Sequence, residues 1–308
     1  MNKKLAMIGV GVAVGSIMLI SSVYAGIGDA PGYQAYKSAI KETATVDNVT
    51  HKVNVSVTDN GKSMLQVDST LKADMDDQAG SAEVTLKSGG VEQSIQFYSQ
   101  DDQQIMKTGD SDIYRIFETD NDHADFKKHG FDGGEPDEAF KQEVENVIDA
   151  LVGNLKNYVT LEEAGTDKDI SLHLSGSQIS PVVNTIGSLL IREGGRHHEE
   201  QVKLDPSDTF GVNVSSIKDS MPKLTNDIKI ESVQLDAKVN ADNRITHQAA
   251  AIEITGKDSQ GIDHEVIVKL SMGLSDFDST VPDTVDLTGK QVEKVNIDEE
   301  GHKGWKHK

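Results

Sequence analysis

Residues 227–277 constrain the fold more than any other stretch, because they read as three strands joined by two short polar turns. The first strand, 228–239, alternates apolar and polar residues. The last places His264, Val266, Val268, Leu270, Met272 and Leu274 on one parity and Glu265, Lys269 and Ser271 on the other. A period of two puts one face of a strand in a core and the other in water. The turns, 240–244 and 257–261, carry the Asn, Asp and Gly that accept positive φ or cap the backbone at reversals.

The same pattern fills the first third of the chain. Val49, His51, Val53, Val55 and Val57 alternate with Thr50, Lys52, Asn54, Ser56 and Thr58, and Asp59-Asn-Gly61 is a strong hairpin signal. The return strand carries Leu65, Val67, Leu71 and Ala73 on one side. A reversal at 76–80 leads to Ala82, Val84 and Leu86, and Ser88-Gly-Gly90 leads to Val91, Gln93, Ile95 and Phe97. Shorter strands are expected over 103–107 and 112–118, so this region is a meander of antiparallel neighbours.

Helical spacing interrupts the strands in three places. Tyr33, Tyr36, Ile40 and Thr43 form one stripe after Pro31-Gly32. Pro136, followed by Asp137 and Glu138, suits a helix start. Phe140, Val144, Val147, Ile148, Leu151, Val152 and Leu155 then repeat at a helical period, so this helix must lie on an apolar surface, and the sheet is the candidate. A strand with Ile170, Leu172 and Leu174 on one face precedes a third helix opened by Ser180-Pro181.

The ends read differently. Lys3 and Lys4 precede an uncharged, largely apolar run to Val23, and Val23-Tyr-Ala25 suits a signal peptidase. Residues 1–25 are therefore expected to be a signal peptide cut after Ala25, with an uncleaved membrane anchor over 5–23 as the alternative. Residues 26–288 are expected to form a single domain and 289–308 a flexible tail. The chain has no cysteine, which removes disulfides, thiol nucleophiles and a thioether lipid anchor. Its 30 basic and 51 acidic residues give a net charge of −21, which argues against nucleic acid or anionic lipid as a surface partner.

No catalytic constellation stands out. A GxSxG elbow and an HExxH helix are absent, and no carboxylate pair can be singled out among so many surface acids. Asp120, Asp122 and Asp125 lack the glycine turn and distal glutamate of a calcium loop. The adjacent His197 and His198 point to different sides of any regular element. The expectation is a protein that is not an enzyme and takes no metal or cofactor.

Phase slips add shape. One falls between Ile230 and Val233; in the next strand Ile245, His247, Ala249 and Ala251 share one parity while Ile252 and Ile254 take the other. Phase changes of this kind mark bulges or bends, and two in neighbouring strands curl a sheet. The expected fold is α+β: a strongly curved antiparallel sheet, a half-barrel, with amphipathic helices across its concave face.

Together with Tyr33-Gln-Ala-Tyr-Lys37, Ile113-Tyr-Arg-Ile-Phe117 and 262–269 preceding Pro282-Asp-Thr-Val-Asp-Leu287, this order of elements resembles the lipoprotein-carrier superfamily, the LolA-type and LppX-type half-barrels and their Gram-positive envelope relatives. The resemblance covers most of 33–288 and lies in the order of elements. It implies an extracytoplasmic binding or carrier protein whose groove shelters an acyl chain, a lipid or a lipidated partner; the alternative is an envelope sensor or interaction domain whose groove is plugged by its own helices. The groove residues it points to are Val53, Val55, Val57, Leu65, Val67, Leu71, Val84, Leu86, Ile95, Phe97, Val144, Ile148 and Leu151. An ordinary core uses the same residue types.

Overall fold

The computed structural model describes residues 30–101, 103–118, 155–181, 184, 185, 188 and 221–296. Within them one helix is described from end to end, α1 (Pro31–Thr43), and twelve strands follow. The first meander is β1 (Asn48–Asp59), β2 (Lys62–Asp74), β3 (Ala79–Ser88), β4 (Val91–Gln100), β5 (Gln103–Thr108) and β6 (Ile113–Glu118). The second is β7 (Val159–Ala164), β8 (Asp167–Ser175), β9 (Asn226–Val239), β10 (Ile245–Lys257) and β11 (Asp263–Ser275); β12 (Gln291–Asn296) comes last.

All twelve strands lie in one sheet in the order β12-β6-β5-β4-β3-β2-β1-β11-β10-β9-β8-β7, with β12 and β7 at opposite edges, so the sheet is not closed. The two meanders fuse where β1 pairs antiparallel with β11, setting Val53 against Met272 and Val55 against Leu270. Only β12 runs parallel to its neighbour, β6. The sheet therefore includes a strand beyond 288, over residues that the sequence reading assigns to a flexible tail. β7 also goes beyond that reading, which passes over 159–164.

Turn chemistry explains the tight hairpins. Asn60 (φ 49°) and Gly61 (φ 76°) join β1 to β2, and Gly89 (φ 58°) and Gly90 (φ 82°) join β3 to β4. Two consecutive positive φ angles match the right-handed twist of the strands they connect. Bulges interrupt the ladders further on. On β9 the pairing skips Glu231, passing from Ser232↔Glu253 to Ile230↔Ile254, which places the expected slip between Ile230 and Val233. In β10 the register shifts between Ile245 and His247, so Gln248, Ala250, Ile252 and Ile254 share a face. The phase change expected after Ala251 instead falls at Thr246. Each bulge adds local twist and bend.

The described part is mostly β, and the expected layer of helices across the sheet is limited there to α1, which lies over β7, β8 and β10. The proposed helix after Pro136, and with it Val144, Ile148 and Leu151, lies outside the described residues, as do the signal segment, the calcium-like loop and His197–His198. Of the third helix, positions 181, 184, 185 and 188 are helical. There the Asn184 side-chain oxygen accepts a 2.7 Å hydrogen bond from the Ile230 amide, beside the bulge.

Candidate functional site

Strand alternation assembles one apolar face from both meanders. Cross-strand registers give the row Val159–Leu172–Leu235–Ala250–Leu270–Val55–Val67–Leu86. A parallel row runs Ile170–Ala237–Gln248–Met272–Val53–Ser69–Val84–Ile95.

At the β8–β11 end this face is a closed core. Tyr36 and Ala39 of α1 pack with Ile170, Leu172, Leu235, Ala237, Val239, Ile245 and Met272. Gly32 lets the helix sit flush, since a Cβ there would come within 2.5 Å of the Val159 carbonyl oxygen. Gln248, a polar residue within this core, is 1% exposed, and its side-chain oxygen accepts a 3.1 Å hydrogen bond from the Tyr36 hydroxyl. Burial pushes the Tyr36 phenol up to about 12, so it stays a donor across the physiological range.

Towards β2–β4 the cover thins. Val53 and Val57 are buried, but Val55, Leu65, Val67, Leu71, Val84, Leu86, Ile95 and Phe97 are each only half-buried, and Ile252, on the same face of β10, is 36% exposed. Ten of the sequence-predicted groove residues thus share one face of four adjacent strands. Val53 and Val55 belong to the core beneath α1, while Val57 and Leu65 join a smaller cluster with Leu224, Ile254 and Val266. The remaining six form a half-exposed apolar sheet surface. His51 lies on this face between Val49 and Val53, opposite Leu71 and Leu274, and burial lowers its pKa. The sequence reading placed it in the alternating strand and gave it no role.

The opposite face is polar, except where the segment between β11 and β12 crosses it. Thr280 exchanges hydrogen bonds with Asn48, through its amide at 2.6 Å and its carbonyl at 3.1 Å. Asp283 pairs with Lys72 at 2.7 Å, and its amide donates to Ser81 Oγ at 2.9 Å. The Val285 amide and carbonyl both bond the Gln100 side chain, at 2.7 and 2.9 Å, and Lys290 Nζ reaches the Tyr114 hydroxyl at 3.1 Å. Val285 and Leu287 cover Ile105, Ile116 and Tyr98. This strap takes up one side chain from nearly every strand it crosses and delivers the chain to β12.

Charged clusters elsewhere are engaged with the chain itself. His264 Nδ1 sits 2.9 and 3.0 Å from the two Asp59 carboxylate oxygens, and its Nε2 lies 3.7 Å from Asp258. The Asp59 hydrogen bond is the main cause raising the His264 pKa. In the acidic rim formed by Asp47, Asp74, Asp76, Asp77 and Asp278, Asp74 accepts from the amides of Asp76 and Asp77 and from Asn48. Among the described residues no group of three or more acidic or histidine side chains is arranged to hold a metal ion, and no helix is long and apolar enough to cross a membrane.

No family model matches the chain, and no curated protein matches it either. Among solved structures, the chain aligns with a beta-barrel-like protein of a domain of unknown function, DUF1849, from Brucella abortus, at 8% identity and a TM-score of 0.17, covering 75% of this chain and 100% of that one. It also aligns with the dehydratase domain from the terminal module of the rifamycin polyketide synthase, at 10% identity and a TM-score of 0.10, covering 79% of each chain.

Proposed function

We propose that this chain is an extracytoplasmic, non-catalytic binding or carrier protein for a hydrophobic ligand: an acyl chain, a lipid or a lipidated partner. The observation that carries the reading is the half-buried apolar surface of Val67, Leu71, Val84, Leu86, Ile95 and Phe97, continuous with a closed core on the same face. Fully covering a side chain of this kind is worth about 1.5–3 kcal/mol, so a contiguous patch of them favours an apolar occupant. In this reading the bulged sheet curves as a half-barrel, and the surface over β2–β4 is the ligand-facing part of its hollow.

At the other end α1 fills the face with the protein's own side chains, the one observation that favours the plugged, sensor-like alternative. Solvent extraction of protein purified from its native host, followed by lipid mass spectrometry, separates the two. A carrier yields a stoichiometric apolar species, whereas protein that carries none and binds no hydrophobic dye is plugged. N-terminal sequencing of the exported protein tests the address, with Gly26 as the expected first residue.

A further inference from the structure

The half-buried face is largely apolar and carries one titratable side chain. His51 lies in the row Leu274–His51–Leu71–Ala82–Phe97, with Val49 and Val53 before and after it on β1. Ser69, one row away on β2, is satisfied from within, its Oγ donating to the Val53 carbonyl at 3.4 Å. Among the described residues neither ring nitrogen of His51 has a hydrogen-bond partner. The ring is half-buried and its nitrogens are not sealed from solvent, so a ligand group lying on the face can reach them.

The surroundings decide which kind. Positions 49–57, 65–73, 80–88, 91–99 and 266–274 contribute no Lys, Arg, Asp or Glu to this face. A carboxylate or phosphate placed here meets no cation, and the chain's −21 net charge opposes it from further away. Burial holds His51 neutral, and a neutral imidazole offers one N–H donor and one bare nitrogen. From the His51 row to the Val57–Leu65 row the face runs six residues along the strands, about 20 Å of apolar surface, enough for an extended long acyl chain.

Resting on the hydrophobic-ligand reading, we propose that His51 is the polar anchor of this site and that it selects an uncharged acyl ester, whose carbonyl oxygen accepts the imidazole N–H while the chain lies over β2–β4. Free fatty acid carries the same chain with a charged head and is discriminated against.

Displacement of Nile red from the full-length mature protein tests this, with methyl palmitate, palmitate and hexadecane as competitors at neutral pH. Methyl palmitate is expected to compete about three- to tenfold better than either of the others, the span of one net hydrogen bond. His51→Leu, which keeps the face apolar, removes that preference, and His51→Gln, which restores a donor, recovers part of it. Ester addition also shifts the His51 ring resonances in 15N NMR. Equal competition by ester and hexadecane, or an unchanged preference in His51→Leu, overturns the anchor while Nile red binding itself leaves the hydrophobic-ligand reading standing. Failure of Nile red to bind the wild-type protein overturns both.

Discussion

At the scale of single residues, burial and partnering separate the histidines. His264 is paired by Asp59, and its side chain is 14% exposed. Because its pKa is raised in the folded state, its contribution to stability is fully present below the ordinary histidine value of about 6.5 and disappears as pH rises through the higher folded value. The urea midpoint of wild type should therefore exceed that of His264→Gln most near pH 6 and converge with it by about pH 9. A gap that stays constant over that range removes the charged pair as its cause. Sequence alone placed His264 correctly on the apolar parity of its strand, but not Asp59 beside it, since the two residues are 205 positions apart. Gln248 illustrates the opposite failure. A glutamine reads as a solvent-facing residue, and only the Tyr36 hydroxyl makes its burial tolerable, so the β10 phase was misplaced by several residues.

At the scale of elements, legibility follows how local the determining physics is. The Asn60-Gly61 and Gly89-Gly90 hairpins were legible because two residues set their geometry. β7 was not, because only Val159 and Leu161 mark it before Glu162 and Glu163. β12 was missed because Gln291-Val-Glu-Lys-Val-Asn296 becomes a strand only beside β6. The strap was invisible for the same reason: its backbone groups are satisfied by side chains from distant strands. Gln100 is its clearest clamp, since one amide side chain serves both the N–H and the C=O of Val285. Gln100→Ala should cost about 1–3 kcal/mol by leaving these groups poorly paired. Hydrogen exchange should become faster at the Val285 amide and in β12, with β8–β10 unchanged. Uniformly faster exchange across the sheet would mean that the clamp is global rather than local.

At the scale of the whole molecule, the face that carries the functional reading was legible as a list of alternating residues, and the pairing that makes it continuous was not. Nothing in β1 or β11 names the other as its partner, yet their register joins the Val53–Val57 side chains to Leu270 and Met272. A chain ending after residue 262 retains the first meander and β9–β10 but loses β11, leaving both β1 and β10 unpaired along one edge. Such an edge promotes association between chains. The truncated protein should be soluble only in denaturant and should aggregate on dilution, whereas a chain ending after 290 should fold with a lower urea midpoint. A monomeric, cooperatively unfolding 1–262 fragment would show that the sheet's two halves fold without the β1–β11 seam.

The β1–β11 seam also has a consequence for biosynthesis. Bonds such as that from Asn60 to the Asp263 carbonyl span 203 residues, so the centre of the sheet cannot zip up while its C-terminal half is still being translated. The nascent polypeptide must wait, with its middle strand half-dressed, until β11 has been made. In the extracytoplasmic reading proposed above, assembly in that order suits delivery as a loose thread, completed in one late step after export.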